Sequence, residues 1–371
     1  MKKSIKIGSQ FSGVGAFDQA LNRLGIKYEN ILQCEWDKYA RDTYLLNYEK
    51  PRYYVEDVHD TPYKEITEMF GSLDILMSSP PCQSFSMGGK RLGKNDKRGI
   101  LFFNSYEFIK ENKPRYFIFE NVRGLLSDDG GKTFSEWVNM LGGKSINGLP
   151  VLFPYKESVP YHLYWKIMNA KDYGVPQNRE RVFLVGIRND EDNNFRFPIE
   201  VPLQKKLVDV LENSVNDKYL LSERMINGFL NKREEFAKQF KPKSVDDNVL
   251  NCITTKPTDK VTCNYIRVRS AVQKGYELAT KNDSINYQNI KSTTRRGRVG
   301  KGVAQTLDTK CEQGILTDDF RLRKLTPREC FRLMDFPDEF TWTVSDAQAY
   351  KQAGNSIVVG VLSNIISRFN L

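Results

Sequence analysis

Pro80-Pro81-Cys82-Gln83 stands directly behind the apolar run Leu73 to Met77. Each proline fixes its own φ and restricts the residue before it, so the Cys82 thiol is held in one direction. The apolar run reads as a buried strand, and open parallel sheets build their active sites at the carboxyl ends of such strands. A cysteine there acts as a nucleophile when its pKa is lowered or a proton acceptor stands nearby. The plainer reading of a free cysteine is a small buried apolar residue. Glu120-Asn121-Val122 closes a second β-rich run, Arg115 to Glu120, which directs a carboxylate toward the same cleft. A helix-capping acid is the alternative for Glu120. Gln177-Asn178-Arg179-Glu180-Arg181 leads into a third run, Arg181 to Ile187. Period two places Arg179 and Arg181 on one face, where paired guanidiniums suit a phosphate or a carbonyl oxygen. A salt-bridge ladder is the alternative. A rigid nucleophile beside the basic, glycine-containing segment Gln83 to Arg98 implies covalent chemistry on a polyanion.

A second set of residues suits a nucleoside. The loop Phe11-Ser12-Gly13-Val14-Gly15-Ala16-Phe17 lies between an expected strand and helix, and its glycines let a ligand approach the backbone. A dinucleotide fingerprint requires a third glycine where Asp18 stands, and that carboxylate would face a pyrophosphate, so a nicotinamide dinucleotide is disfavoured. Glu35 follows the next strand, where an acid commonly takes ribose hydroxyls. Trp36 beside it suits stacking on an adenine, and Asp57 follows Tyr53-Tyr54-Val55, placed to accept from an adenine amino group. Otherwise Trp36 is core and Glu35 a surface acid.

The elements that position these residues alternate. Ile5 to Phe11, Asn30 to Cys34, Leu73 to Met77, Arg115 to Glu120 and Arg181 to Ile187 read as strands. Phe17 to Leu24, Asp37 to Leu46 and Leu101 to Lys110 read as helices. This alternation predicts an α/β fold with a parallel, doubly wound sheet. After about Asn189 the chain turns polar and irregular, and Lys291 to Gly302 carries five basic residues and no acid. That run is either a solvated loop or a set of backbone-phosphate contacts. Asn355 to Phe369 is apolar again and is expected to pack back on the first part. The formal charge of +10 over 371 residues favours a polyanionic partner. The six cysteines form no CxxC pair, which argues against a disulfide framework or a zinc site. No apolar stretch reaches the roughly 20 residues that span a bilayer, and no signal-peptide core is present, so the cytoplasm is the expected compartment.

The ordered blocks FSGVGAF, CEWD, SSPPCQSFS, RGILFF, ENVRGLL, QNRERVFLVGIR, RKLTPRECFRLMDFPD and QAGNSIVVGVL resemble the cytosine-5 DNA methyltransferases of bacterial restriction–modification systems. The resemblance spans both ends of the chain. It leaves out mainly an insertion near Ser127 to Ser158, of unassigned role, and the stretch after Asn189. It implies a Rossmann-like, S-adenosylmethionine-dependent methyltransferase domain over 1–190, completed by 345–371, with a target-recognition domain over 191–344.

By that resemblance, Cys82 as thiolate attacks carbon 6 of a flipped cytosine and Glu120 holds and protonates ring nitrogen 3. Arg181 contacts the cytosine carbonyl oxygen, and Arg179 braces the closed loop and backbone. The methyl donor falls to Phe11, Gly13, Val14, Gly15, Glu35, Trp36, Asp57, Val58, Pro81, Leu101, Asn355 and Ser356. No metal is needed. The loop Gln83 to Arg98 closes over duplex DNA, with Gln83, Ser86, Lys90 and Arg91 in contact. Arg295, Arg296 and Arg298 are candidates for guanine readout, with phosphate contact as the alternative. Thr306-Leu307 resembles a dipeptide of the recognition domain. The resemblance implies a bacterial or phage-encoded monomer that protects DNA beside an endonuclease of the same specificity. Two rival readings stay open: a transfer-RNA methyltransferase of the same chemistry, and a non-catalytic nucleic-acid-binding module on the same fold.

Overall fold

The computed structural model describes residues 4–81, 100–191, 194–222, 266–289, 292–317 and 322–371. Its centre is a nine-stranded sheet. Strands β1 (Ile5–Gln10), β2 (Tyr28–Cys34), β3 (Tyr53–Val55), β4 (Ile75–Ser78) and β5 (Tyr116–Val122) run parallel in the order β3-β2-β1-β4-β5. The hairpin β6 (Ser145–Ile146) and β7 (Leu149–Pro150) lies at the far edge, beside β8 (Tyr161–Asn169). After β9 (Gln177–Asn178), β10 (Glu180–Arg188) inserts between β5 and β8, antiparallel to both. The all-parallel expectation therefore fails at β10. Only residues 170–179 join β8 to β10, and a parallel crossover needs a dozen or more.

Helices cover both faces. α1 (Ala16–Arg23), α2 (Lys38–Asn47), α3 (Tyr63–Phe70), α4 (Ile100–Asn112) and α5 (Lys132–Leu141) belong to the first half of the chain. α6 (Pro327–Leu333), α7 (Asp346–Asn355) and α8 (Val359–Ile366) close it. The strands divide their side chains by period two. Ile75, Met77, Ile118, Phe183 and Val185 join a core containing α1 and α8. Leu76, Phe117, Phe119, Val182 and Leu184 join a second core containing α4 and α5, where the Phe102 and Trp137 rings stack at 4.1 Å. Strands buried on both faces read as continuous apolar runs, which is why these runs are easy to see. The insertion proves structured: it holds α5 and the β6–β7 hairpin.

The carboxyl end does return. α8 packs on α1, and Arg23 Nη2 donates to the Asp335 carbonyl at 2.6 Å. A smaller region contains β11 (Ile266–Arg269), β12 (Tyr276–Ala279), β13 (Ser284–Asn286), β14 (Val299–Gly300), β15 (Ala304–Gln305), β16 (Gln313–Leu316) and β17 (Leu322–Lys324). Its own core is built on Val268, Ala279, Ile285, Tyr287, Leu316 and Leu322. β15 pairs parallel with β9, which couples this region to the segment just before β10.

Candidate active site

At the carboxyl end of β1 the backbone turns sharply, with φ of 59° at Phe11, 56° at Gly13 and 88° at Gly15. A Cβ at Gly15 would lie 2.3 Å from a Tyr48 ring carbon, so glycine is required there by space as well as by φ. A Cβ at Gly13 would meet nothing within 4 Å, so the loop faces open space at that point. Glu35 stands at the end of β2 and accepts from Gly13 N and Asp37 N, each at 2.8 Å. Burial raises its pKa while these two N–H donors lower it. Trp36 is 74 % exposed, which removes the core reading for that ring. Arg41, unnoticed in the sequence, donates to the carbonyls of Glu35 and Trp36 at 2.9 and 2.8 Å. Asp57 accepts from His59 N at 3.0 Å, which holds its carboxyl below the ordinary range, and Val58 is buried behind it.

Asn355 is exposed at the end of α7. Three contacts bring that helix to the Trp36 segment: Lys351 Nζ to Asp37 Oδ2 at 2.7 Å, Gln352 Nε2 to the Tyr39 carbonyl at 2.9 Å, and Thr43 Oγ1 to Gln352 Oε1 at 3.1 Å. Leu101 lies half-buried in the first turn of α4. An open glycine loop, a half-buried acid and an exposed indole fit a nucleoside-bearing donor. Asp18 does not stand where a pyrophosphate would meet it. Its carboxylate is fully buried and accepts from Tyr44 Oη at 2.8 Å, so it faces the packed side of α1 rather than a ligand.

On β5, Glu120 is buried and its Oε1 lies 3.0 Å from Arg181 Nε. In the antiparallel register Arg181 faces Val122 and Phe183 faces Glu120, so the pair is a diagonal one across β5 and β10. The helix-capping alternative for Glu120 falls away. Asn121 Nδ2 donates to the Pro80 carbonyl at 3.0 Å and ties the proline turn to the strand that carries Glu120. The sequence reading passed over Asn121, although it sits inside the ENV block. Cys82, Gln83, Ser86, Lys90 and Arg91 lie outside the described residues.

Arg179 and Arg181 do not share a face. β10 begins at Glu180, so period two does not reach back to Arg179. Arg179 is buried and donates to three carbonyls: Leu307 at 3.1 Å, Gly354 at 2.9 Å and Ser356 at 2.8 Å. Burial lowers its pKa, and the neighbouring Arg181 adds to the effect. Gln177, also overlooked, accepts from Leu307 N at 3.1 Å and donates to the Leu333 carbonyl at 2.7 Å. At this seam a Cβ on Gly354 would lie 2.5 Å from the Asp308 carbonyl oxygen.

A model of the C-5 cytosine-specific DNA methylase family matches residues 5–370. The chain belongs to that family. Type II methyltransferase M.SsoII of Shigella sonnei is 33 % identical over 369 residues, covering 96 % of this chain and 78 % of its own. Type II methyltransferase M.HhaI of Haemophilus parahaemolyticus is 32 % identical, covering 96 % and 91 %. Among solved structures, a Spodoptera frugiperda DNMT2 mutant superposes with a TM-score of 0.62 at 20 % identity, over 98 % of this chain and 99 % of its own, a likeness of fold. This protein is a DNA cytosine-5 methyltransferase, and its family depends in general on S-adenosylmethionine.

The basic run of the methyltransferase divides its arginines. Arg298 is buried and donates to the carbonyls of Asn286, Gln288 and Asn289 at 3.1, 2.9 and 2.9 Å. It shapes a loop and is withdrawn as a base reader, because the side chain is buried and both terminal nitrogens donate to backbone. Arg295 Nη1 donates to Gln288 Oε1 at 2.6 Å, and Arg296 is exposed. Thr306 Oγ1 donates to the Asn178 carbonyl at 2.7 Å. Arg298→Met removes the hydrogen bonds to the Asn286, Gln288 and Asn289 carbonyls and is expected to cost about 2 kcal/mol of stability. Thermal melts should show that loss while sequencing of methylated DNA shows unchanged site choice. Relaxed choice with an unchanged melt would return Arg298 to base reading.

Proposed function

We propose that this methyltransferase modifies carbon 5 of a cytosine extruded from duplex DNA, through a transient bond between Cys82 and carbon 6. The observation that carries this is the Glu120–Arg181 pair beside Asn121, whose amide grips Pro80, two residues before Cys82. Cytosine carbon 5 is a poor nucleophile. Attack by the Cys82 thiolate on carbon 6 converts the ring to an enamine, and Glu120 donates a proton to ring nitrogen 3 so that charge does not build up on the base. Arg181 keeps the carboxyl of Glu120 in place and takes the ring carbonyl oxygen. Loss of the carbon-5 proton then expels Cys82 as thiolate. When bound, S-adenosylmethionine supplies the methyl group as an electrophile. Phe11, Gly13, Val14, Gly15, Glu35, Trp36, Asp57, Val58, Pro81, Leu101, Asn355 and Ser356 hold it.

Extrusion of the base costs a few kcal/mol and is offset by contacts in the pocket. Site choice belongs to residues 191–344, with Arg295 and Arg296 at the DNA. The relatives named type II methyltransferases support a protective role beside an endonuclease of matching specificity.

The test is incubation of the full chain with a duplex DNA library and methyl-labelled S-adenosylmethionine, followed by base-resolved sequencing. Label at carbon 5 of cytosine in one short sequence context is expected. Label on transfer RNA and none on duplex DNA would overturn the choice of substrate. No label on either would overturn the reading as a whole.

A further inference from the structure

The donor loop rests on a buried polar network that the proposed reaction does not use. Asp18, in the first turn of α1, is 0 % exposed. Its carboxylate accepts from Tyr44 Oη at 2.8 Å, Asn30 Nδ2 at 3.1 Å and Gln33 Nε2 at 3.2 Å. Asn30 Nδ2 also donates to Tyr44 Oη at 2.6 Å. None of these partners is a cation. A buried carboxylate without one costs stability, and burial pushes the Asp18 pKa up to about 6. The sign follows: the folded protein binds this proton more tightly than the unfolded chain, so stability falls as pH rises from about 4 through about 6. At neutral pH the charge is a burden on the fold, and groups kept at such a cost concentrate at functional sites.

The three donors come from the elements that build the donor pocket. Asn30 and Gln33 lie on β2, which ends beside Glu35. Tyr44 lies on α2, and its ring packs under Gly15, where an added Cβ would come within 3.0 Å of Tyr44 Cδ2. We propose that Asp18 is a positioning residue for the methyl-donor site, its ionised carboxylate pinning Tyr44 and β2 so that the Phe11–Gly15 loop keeps its left-handed turn beside Glu35. The carboxylate is needed because three donors converge on it. An asparagine there offers one oxygen and brings two further N–H groups into a space already full of donors. This inference rests on the assignment of that loop to S-adenosylmethionine.

The test uses the full chain, calorimetric titration with S-adenosylhomocysteine, and steady-state kinetics. Asp18→Asn and Tyr44→Phe are each expected to weaken S-adenosylhomocysteine binding about tenfold, the equivalent of one hydrogen bond to a charged group. KM for the donor should rise in parallel, while kcat at saturation and DNA affinity stay within about twofold. Wild-type affinity should fall between about pH 7.5 and about pH 5.5, and the Asp18→Asn variant should lose that dependence. The titratable groups facing Asp18 are Tyr28 from β2, Tyr44 from α2 and Tyr48 just past it, and burial raises the pKa of all three. They do not titrate in that window. Glu35 lies on the loop side, and the Asp18→Asn comparison separates its contribution from that of Asp18. Binding within twofold of wild type in both variants, whatever the melting temperature does, overturns the inference, as does a pH dependence that survives Asp18→Asn. A wild-type protein that binds neither donor nor product overturns the donor assignment itself.

Discussion

Glu120→Gln is expected to lower kcat by about 100- to 10,000-fold, the usual worth of a general acid. The amide keeps the size and one oxygen of the carboxyl, so the diagonal contact with Arg181 across β5 and β10 is weakened rather than emptied. What the amide lacks is a proton to give to ring nitrogen 3. Attack at carbon 6 then leaves negative charge on the base that no proton from this side chain neutralises. DNA affinity should change much less than kcat, because phosphate contacts dominate it. Single-turnover methyl transfer at saturating DNA and donor separates the two quantities. A kcat within about threefold of wild type would remove Glu120 from the chemistry. The opposite deletion, Arg181→Ala, is a poorer test, since it strands a buried carboxylate and destabilises the strand pair itself.

Cys82→Ser is expected to remove turnover to below detection, a loss of at least about 10,000-fold on the scale of a deleted nucleophile. A serine hydroxyl is not ionised near neutral pH, and no attack on carbon 6 means no activated carbon 5. The substitution changes one atom, so the melting temperature and the affinity for DNA should be preserved. DNA carrying 5-fluorocytosine gives a second readout. Fluorine cannot leave as a proton does, so the wild-type protein should accumulate a covalent complex that survives denaturing electrophoresis, and Cys82→Ser should not. A covalent complex formed by the serine variant would place the nucleophile elsewhere.

Both predictions use residues read from short blocks whose local chemistry is nearly self-sufficient. Two prolines stiffen a turn whatever surrounds them, and continuous apolar runs such as Leu73 to Met77 and Arg181 to Ile187 declare doubly buried strands. Glycines at 13 and 15 leave the backbone of the first loop open to a ligand. The family was therefore legible before any fold was known, together with Cys82 and Glu120 as candidates for nucleophile and acid. β8 was not. Tyr161–Asn169 mixes charged, aromatic and half-buried positions near the far edge of the sheet, and no clean period marks it.

Tertiary structure decided the partners. The direction of β10 followed from a connection too short to cross over, and that direction is what sets Arg181 beside Glu120. Arg179 and Arg298 look like ligand-facing cations in the sequence. Folded, each spends its guanidinium on three backbone carbonyls, some over a hundred positions away. Asp18 looks like an obstacle to phosphate and is instead the floor of a network drawn from two other elements. Residue type and local spacing determined which groups can carry the chemistry. Which of them reach the cleft depends on long-range hydrogen bonds and strand register, and these are properties of the packed chain alone.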